Sequence, residues 1–427
     1  MENLCSGLIK QIQAHKLSAL SAITYFKSEM QLTVELLAWL KAQEMYPQFY
    51  LNYRDEPITI ASLGKVRLFS DEKMAQQFVQ QQDLPLVGGL TFSKQAKFWL
   101  PRLLLENVDN ILHVTIYFDN EQDFVTEQYA CLQAAKTLEK FTALQSVKQV
   151  VHKIGQKANT EVWTNWIEQG LAEIKQGHLS KVVLANQTEF LSNQPIDAKD
   201  FLAESEQQNT GCYHFLLAEQ AECAFVGSTP ERLYTRQGQH MQTEALAGTA
   251  TITDNPQYNQ QQTDWLLNDR KNDHENRLVV QGICENLQPY VSHIAVCDVE
   301  VKQLRQVQHL RRCIQAELKN NVADGVCLQT IHPSAAVSGL PQQSAVQFLQ
   351  KTENFDRSWY AGTLGIMRKL QAEFCVAIRS AFIEQQGEQS KIRIFAGAGI
   401  VAGSVPLLEW QEIERKASSL LSLLTIE

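Results

Sequence analysis

Apolar residues recur every three or four positions in several stretches of the chain, which is the spacing that one face of a helix requires. Leu32, Leu36 and Leu40 show this spacing clearly, as do Trp163 and Ile167. We therefore predict helices in four segments, 28–45, 163–177, 264–288 and 408–425.

Alternation of apolar and other residues indicates strands, and it is clearest over 111–118. The triplet Gln237-Gly238-Gln239 separates two predicted strands, 232–236 and 240–243, and is typical of a hairpin turn. Further strands are predicted over 46–50, 66–69, 181–185, 213–217, 223–226, 232–236, 240–243, 374–382 and 391–395. Because hairpins and long helices are mixed without regular βαβ alternation, we predict an α+β architecture with largely antiparallel sheet.

The polar, mixed stretch 140–160 is the best candidate for a boundary within the chain. Nothing rich in Pro, Gly or Ser separates the two halves, so we interpret it as a seam inside one fold over 1–427. This gives an N-terminal structural portion, 1–155, and a catalytic portion, 160–427.

Composition narrows the class of protein. The 427 residues carry a formal net charge of -9, which argues against nucleic acid as a partner. The nine cysteines form no C-x-x-C pair, so we expect buried free thiols in a reducing cytoplasm. The first residues do not resemble a signal peptide, and no apolar run approaches the roughly 18 residues of a membrane span.

The segment Gly397-Ala-Gly-Ile-Val-Ala402 matches a loose dinucleotide-binding pattern. That pattern needs a helix directly after the strand, and Pro406 stands where such a helix should already be running. A strand end whose glycines let backbone N–H groups approach an anion is one alternative, and a simple tight turn is the other.

Glu409 and Glu412 lie three residues apart at the start of the last predicted helix. Residues at this spacing project from one face, so the two carboxylates could meet one Mg²⁺ ion. The alternative is that both acids favour the helix start because of its dipole, with Glu412 paired to Lys416.

Four other charged residues stand in apolar surroundings. Glu275 lies near the buried edge of a predicted helix, where a metal or a salt bridge would satisfy it. Lys181 and Glu231 lie at strand ends and are either a base and an acid or ordinary solvated charges. Arg379 interrupts an apolar strand and needs a fixed anion, either a substrate carboxylate or an internal acid.

Seven ordered segments together resemble the chorismate-binding enzymes, a family that includes the anthranilate, aminodeoxychorismate, salicylate and isochorismate synthases. The segments are 227–233, 243–249, 271–275, 332–339, 355–362, 397–401 and 409–412. The resemblance implies a fold of large, mainly antiparallel sheets packed as a sandwich with helices outside.

Within this family the chain is most similar to the isochorismate synthases. Lys181 stands where the water-using members carry their base, and Ala247 stands where aminodeoxychorismate synthases carry a nucleophilic lysine. Ala336 differs from the Thr that salicylate and anthranilate synthases tend to have. The segments 39–43 and 46–50 resemble the menaquinone-pathway type more than the siderophore-pathway type.

The resemblance also implies a mechanism. Chorismate binds with its ring carboxylate on Mg²⁺, which Glu275 and Glu412 hold, with Glu409 close by. Lys181 is the general base that activates water, and Glu231 is the general acid that protonates the leaving C4 hydroxyl. The remaining substrate-binding residues implied are Gly248, Thr249, His309, Ala336, Tyr360, Arg379, Gly397, Ala398 and Gly399.

A salicylate synthase, a siderophore-pathway isochorismate synthase and a non-catalytic binding subunit stay open as alternatives, and we expect a monomer or weak homodimer. The chain departs from the family pattern in two places. Asn272 stands where the family often has an acid, which removes one carboxylate near the implied metal site but leaves Glu275 in place, and Arg311-Arg312 is an unusual pair.

Overall fold

The computed structural model describes residues 1–16 and 21–427. Its α-helices are α1 (Glu2–Ala14), α2 (Leu36–Lys41), α3 (Glu72–Gln82), α4 (Phe124–Lys136), α5 (Thr160–Lys175), α6 (Ala198–Gln208), α7 (Pro256–Asn268), α8 (Arg270–Leu287), α9 (Asp324–Ile331), α10 (Gln342–Thr352) and α11 (Pro406–Leu421). No helix in these described ranges is long and apolar enough to cross a membrane.

One set of strands forms the larger sheet. It contains β1 (Ile23–Gln31), β2 (Gln48–Asn52), β3 (Ile58–Leu63), β7 (Leu103–Val108), β8 (Ile111–Asp119), β9 (Val150–Gln156), β10 (Lys181–Ser192), β11 (Tyr213–Gln220), β12 (Cys223–Thr229), β18 (Gly339–Leu340), β21 (Ser380–Gln386), β22 (Gln389–Ile400) and β23 (Thr425–Ile426).

The other strands form a second sheet. It contains β4 (Arg67–Phe69), β5 (Leu86–Leu90), β6 (Ala96–Leu100), β13 (Arg232–Gln237), β14 (His240–Thr251), β15 (Val291–Val296), β16 (Glu300–Gln303), β17 (Val307–Leu318), β19 (Thr363–Met367) and β20 (Gln371–Val376).

The strand orders are β1-β8-β7-β3-β2-β11-β12-β21-β22-β10-β9-β23 and β15-β17-β14-β13-β20-β19-β5-β6-β4. Among the described residues, every strand pair is antiparallel except β9 with β23. The predicted α+β class with mainly antiparallel sheets is therefore confirmed.

The two sheets face each other across one hydrophobic core. Phe49 of the larger sheet meets Trp99 of the smaller one edge to face, with ring centroids 6.0 Å apart. A second core lies on the outer face of the larger sheet, where Leu8 of α1, Leu37 of α2 and Phe201 of α6 are buried. The predicted sandwich with helices outside matches this arrangement.

Three predicted elements are wrong in their bounds. Residues 28–31 belong to β1, where Met30 pairs with Leu112, so the predicted helix over 28–45 shrinks to α2. Pairing with β8 outweighs the local helical spacing. The predicted helix 264–288 is two helices, α7 and α8, because Asp269 caps the start of α8 by accepting the Asn272 N–H at 2.9 Å.

The predicted strand 374–382 is also two strands, β20 and β21, and they lie in different sheets. Residues 377–379 cross between the sheets, and Arg379 has a φ of 50°, outside the extended region. Arg379 is therefore in a crossover and not inside a strand as predicted.

The predicted seam contains β9, which pairs with β10 of the catalytic portion. The N-terminal portion contributes strands to both sheets, so the two portions share them. All nine cysteines are free as predicted, but Cys297 is exposed and three others are only partly buried.

The chain passes between the sheets at two neighbouring crossovers. Pro230 and Glu231 connect β12 to β13, and residues 377–379 connect β20 to β21. The Val376 N–H donates to Glu231 O at 3.0 Å, and the Ser228 N–H donates to Arg379 O at 3.1 Å. These bonds hold Glu231 and Arg379 side by side although 148 residues separate them in sequence.

Candidate active site

The two crossovers open onto a cleft. Strands β10, β14, β17 and β22 and helices α8 and α11 contribute its other walls. The predicted site residues that line it are Glu231, Gly248, Thr249, Glu275, His309, Ala336, Tyr360, Arg379, Gly397, Gly399 and Glu412. The fold thus brings together residues that the sequence spreads over 182 positions.

Lys181 opens β10 and its side chain is 1% exposed. Its Nζ lies 3.1 Å from Glu275 Oε1, which extends from α8. A Cβ on Gly399 would lie 2.1 Å from that Oε1 and 3.0 Å from Lys181 Cε. The absence of a side chain at Gly399 therefore leaves the space in which the base candidate and the metal-ligand candidate meet.

Glu409 and Glu412 occupy the first turns of α11, as their spacing predicted. Glu409 is paired with Lys271 at 2.7 Å and Glu412 with Lys416 at 2.5 Å. Burial, followed by the charge of Glu412, raises the pKa of Glu409. Burial also acts to raise the pKa of Glu412, but the nearby cations outweigh it and hold that pKa at about 2.

These carboxylates suit a hard cation. Burial acts to lower the pKa of Lys271, but the charges of Glu409, Glu275 and Glu412 outweigh it and raise that pKa, so one ammonium lies in the field of all three acids. In the part of the chain that is described, no three acidic, His or Cys side chains form a ligand cluster by themselves. Mg²⁺ needs only one or two carboxylates plus water and substrate oxygens, so Glu275 and Glu412 at the cleft wall fit it.

Glu231 is buried and lines the same cleft. Burial and the charge of Glu244 raise its pKa to about 8, against the opposing effects of Lys181, Lys416 and Arg379. Such a carboxyl keeps its proton at neutral pH and can donate it.

Arg379 is buried next to Glu231, and its Nη2 donates to His309 Nε2 at 3.2 Å. The Nδ1 of His309 then donates to Gly248 O at 3.1 Å. Burial and the Arg379 charge lower the pKa of His309 to about 3, so the ring is neutral. Within residues 1–16 and 21–427, Arg379 forms no salt bridge with an acid, although the charges of Glu412 and Glu231 act on it from a greater distance.

Tyr360 lines the cleft and stacks on Phe395, with centroids 4.9 Å apart. A Cβ on Gly397 would lie 3.0 Å from the Tyr360 hydroxyl. The glycines of β22 therefore make room for neighbouring side chains. Ala398 does not line the cleft: alternate residues of a strand face opposite sides, and Ala398 is packed in the core.

The two departures from the family pattern have structural roles. Asn272 accepts the Thr249 N–H at 3.0 Å and so fixes the turn of β14 at Gly248, whose φ is 83°. Arg312 donates to Asn276 and Asp273 at 2.6 Å each. Arg311 donates to Glu244 at 2.7 Å.

Three residues at or near the site had no predicted role there. Lys416 lines the cleft and donates to Gly397 O at 2.9 Å, and its position one turn after Glu412 was the available signal. Lys271 is the first residue of the segment 271–275, which resembles a family motif. Arg54 lies in the β2–β3 connection, and no pattern in the sequence marks it.

Comparison with known proteins agrees with this architecture. Residues 90–425 match the family described as chorismate binding enzyme. Isochorismate synthase MenF of Pasteurella multocida is 54% identical over 99% of this chain and 98% of its own length. Isochorismate synthase MenF of Haemophilus influenzae is 51% identical over 98% of this chain and 96% of its own length.

Among solved structures, the menaquinone-specific isochorismate synthase MenF of Escherichia coli superposes with a TM-score of 0.92 at 35% identity, covering 99% of both chains. Anthranilate synthase component I of Streptococcus pneumoniae has a TM-score of 0.67 at 18% identity and shares the fold. The resemblance inferred from the seven ordered segments is confirmed, and the chain belongs to the chorismate binding enzyme family.

Proposed function

We propose that this protein is a magnesium-dependent isochorismate synthase that converts chorismate to isochorismate in menaquinone biosynthesis. The family membership and the MenF relatives support the reaction and the pathway. The observation that carries the proposal is one cleft lined by a proton-bearing Glu231 and by Glu275, whose carboxylate lies 3.1 Å from Lys181 Nζ.

The charges of the cleft suit a substrate with two carboxylates. Arg379 offers a buried guanidinium, and Tyr360 lies on the same wall, so this end binds one carboxylate. The ring carboxylate lies near Glu275 and Glu412, which would hold the Mg²⁺ ion, and the ion would supply the positive charge that lets acid and substrate carboxylates meet. Binding of the two carboxylates at separate places would fix the ring between Lys181 and Glu231.

The reaction needs a base and an acid on opposite sides of the ring. Lys181 takes a proton from water, whose oxygen bonds to C2 of chorismate. The ring double bonds shift, the C4–oxygen bond breaks, and Glu231 gives its proton to the departing hydroxyl. Lys181 acts in this step as a neutral amine, as a general base must.

Product analysis tests the proposal. The purified protein, incubated with chorismate and Mg²⁺, should form isochorismate that chromatography separates from salicylate and anthranilate. Salicylate with pyruvate would establish the salicylate synthase alternative, and no turnover would establish a binding subunit. The siderophore-pathway alternative is tested by whether the gene restores menaquinone to a strain that lacks its isochorismate synthase.

The metal assignment has its own test. Glu275→Ala or Glu412→Ala should raise the magnesium concentration needed for half-maximal rate sharply, and calorimetry should show weaker Mg²⁺ binding. An unchanged magnesium titration in both variants would remove these residues from the metal site. The cytoplasmic location and the monomeric or weakly dimeric state stay predictions, which cell fractionation and sedimentation measure.

A further inference from the structure

We propose that Arg54 and Glu244 are positioning residues for the general acid, holding the peptide groups on both sides of Glu231 in place. This rests on the proposed role of Glu231 and extends the active site into the N-terminal portion, which the sequence marked only as structural.

The first contact comes from Arg54. This residue follows β2, and its side chain is 0% exposed. Its Nη1 donates to Pro230 O at 2.5 Å, and Pro230 directly precedes Glu231. The same Nη1 donates to Glu244 Oε1 at 2.6 Å. One guanidinium therefore joins the backbone of the crossover to a carboxylate of β14.

The second contact comes from Glu244. Its Oε1 accepts the N–H of Arg232, the residue directly after Glu231, at 2.9 Å. The Arg54–Glu244 pair therefore holds the peptide groups on both sides of the acid. Val376 N–H on Glu231 O is the third anchor of this crossover, at 3.0 Å.

Two neighbouring arginines keep the Glu244 carboxylate ionised although it is buried. Its side chain is 1% exposed, and the opposing effects of Arg54 and Arg311 lower its pKa although burial acts to raise it. Arg311, one of the pair that departs from the family pattern, donates to Glu244 Oε2 at 2.7 Å. An ionised Glu244 can accept hydrogen bonds from both the Arg54 guanidinium and the Arg232 backbone N–H.

This geometry bears on catalysis because a two-residue crossover has no regular structure of its own to fix the Glu231 side chain. An error of about 1 Å in the position of a catalytic group can lower a rate by roughly 100-fold. Burial and then the negative charge of Glu244 raise the pKa of Glu231, while the charges of Lys181, Lys416 and Arg379 act in the opposite direction. Tyr360 is a further titratable group close enough to interact with Glu231.

The test compares two buried arginines of the N-terminal portion. Arg54→Met removes the donors and keeps most of the side-chain volume. Arg102→Met is the matched control, since Arg102 makes a buried pair with Glu127 at 2.6 Å away from the cleft. Both variants should lower the melting temperature. Only Arg54→Met should lower kcat, by about 10- to 100-fold with the KM for chorismate within twofold.

A pH profile adds a measurement that a purely structural role would not change. Glu244→Gln keeps an acceptor for Arg232 N–H but removes the negative charge, so the alkaline limb of kcat/KM should move to lower pH. Arg54→Lys, which keeps the charge and one donor, should recover part of kcat and replaces Arg54→Met if that variant does not fold.

Each outcome decides one of the two ideas. A wild-type protein that makes no isochorismate overturns the proposed function. If the wild-type protein makes isochorismate, two results would contradict the positioning role alone. One is a folded Arg54 variant that keeps kcat within twofold of wild type, and the other is a loss of kcat in Arg102→Met as large as that in the Arg54 variant. An unmoved alkaline limb in Glu244→Gln likewise contradicts the influence of Glu244 on Glu231.

Discussion

The two ends of the cleft differ in how their buried charges are balanced. At the end of α8 and α11, each of Glu275, Glu409 and Glu412 lies within 3.1 Å of a lysine Nζ. At the crossover end, Arg379 and Glu231 have no oppositely charged side chain within 4.0 Å among the described residues. The charges at the first end, called the paired end below, are therefore neutralised by other side chains of the protein. The charges at the second end, called the open end, have no such partner.

The difference follows from what each end would bind. A buried charge without a partner costs free energy, so Arg379 is kept only if something else, here a substrate carboxylate, completes it. The acids of the paired end repel one another, and their lysine partners reduce that repulsion. A bound cation would compete with these lysines for the same carboxylate oxygens. The open end therefore selects an anion, and the paired end responds to a metal ion.

The largest effect is expected at the paired end. Lys181→Ala removes the base and should lower kcat by about 10²- to 10⁴-fold, the usual contribution of general acid–base catalysis. Steady-state kinetics measures the loss, and circular dichroism should show an intact fold. Isochorismate formation at the wild-type rate would show that Lys181 serves only as a counter-ion to Glu275.

At the open end, Arg379→Met should act in opposite directions on binding and on stability. Losing the guanidinium should lower kcat/KM by about 10- to 100-fold, since a charged hydrogen bond contributes roughly 1.5–3 kcal/mol. Removing an unpartnered buried charge should raise the melting temperature of the ligand-free protein. Burial lowers the pKa of Arg379, in keeping with that cost.

Arg236→Met is the control for this pair of measurements. Arg236 is buried and already paired with Asp324 at 2.5 Å. Its loss should lower the melting temperature and leave kcat/KM within twofold of wild type. If Arg379→Met is destabilised as strongly as Arg236→Met, the contrast between a partnered and an unpartnered arginine is wrong.

The protonation of Glu231 predicts a pH limit at the open end. Its pKa of about 8 leaves the carboxyl protonated at pH 7, and raising the pH through that value removes the proton it must donate. The kcat/KM profile should therefore fall above about pH 8, by roughly tenfold per unit. Glu231→Gln should lower the activity at low and neutral pH and remove the fall above pH 8, and a wild-type profile that stays flat to pH 10 would exclude Glu231 as the acid.

The smallest effect is expected from Lys271→Met. Removing the ammonium leaves Glu409 and its neighbours with more negative charge, so Mg²⁺ should bind a few-fold more tightly. The change is small because the Lys271 side chain is 36% exposed and water screens it. Calorimetry without substrate measures the affinity. Weaker Mg²⁺ binding would mean that Lys271 orients the acids rather than competing with the cation.

Local patterns predicted several elements well. Strand β8 followed from alternation at Leu112, Val114 and Ile116, because a half-buried strand repeats every two residues. Helix α5 followed from helical spacing and was found over Thr160–Lys175. The predicted helix 28–45 and strand 374–382 were wrong because pairing with β8 and a change of sheet outweigh local spacing.

The candidate site was predicted from ordered family motifs rather than from spacing alone. Spacing could not decide whether Glu412 binds a metal or Lys416, and in this structure the lysine contact is present. Arg54 was not predicted because its partners, Pro230 and Glu244, are far from it in sequence. A contact of that kind leaves no local pattern.

By itself the sequence determined the α+β class, about half of the strands and which residue types the site would contain, since periodicity and motifs are local properties. Only the tertiary structure decided that Glu231 and Arg379 lie side by side at two crossovers, and that Arg54 reaches the peptide next to the acid. The physical reason is that charge balance and hydrogen bonding depend on distance in space. Chain segments far apart in sequence meet only when both sheets are assembled.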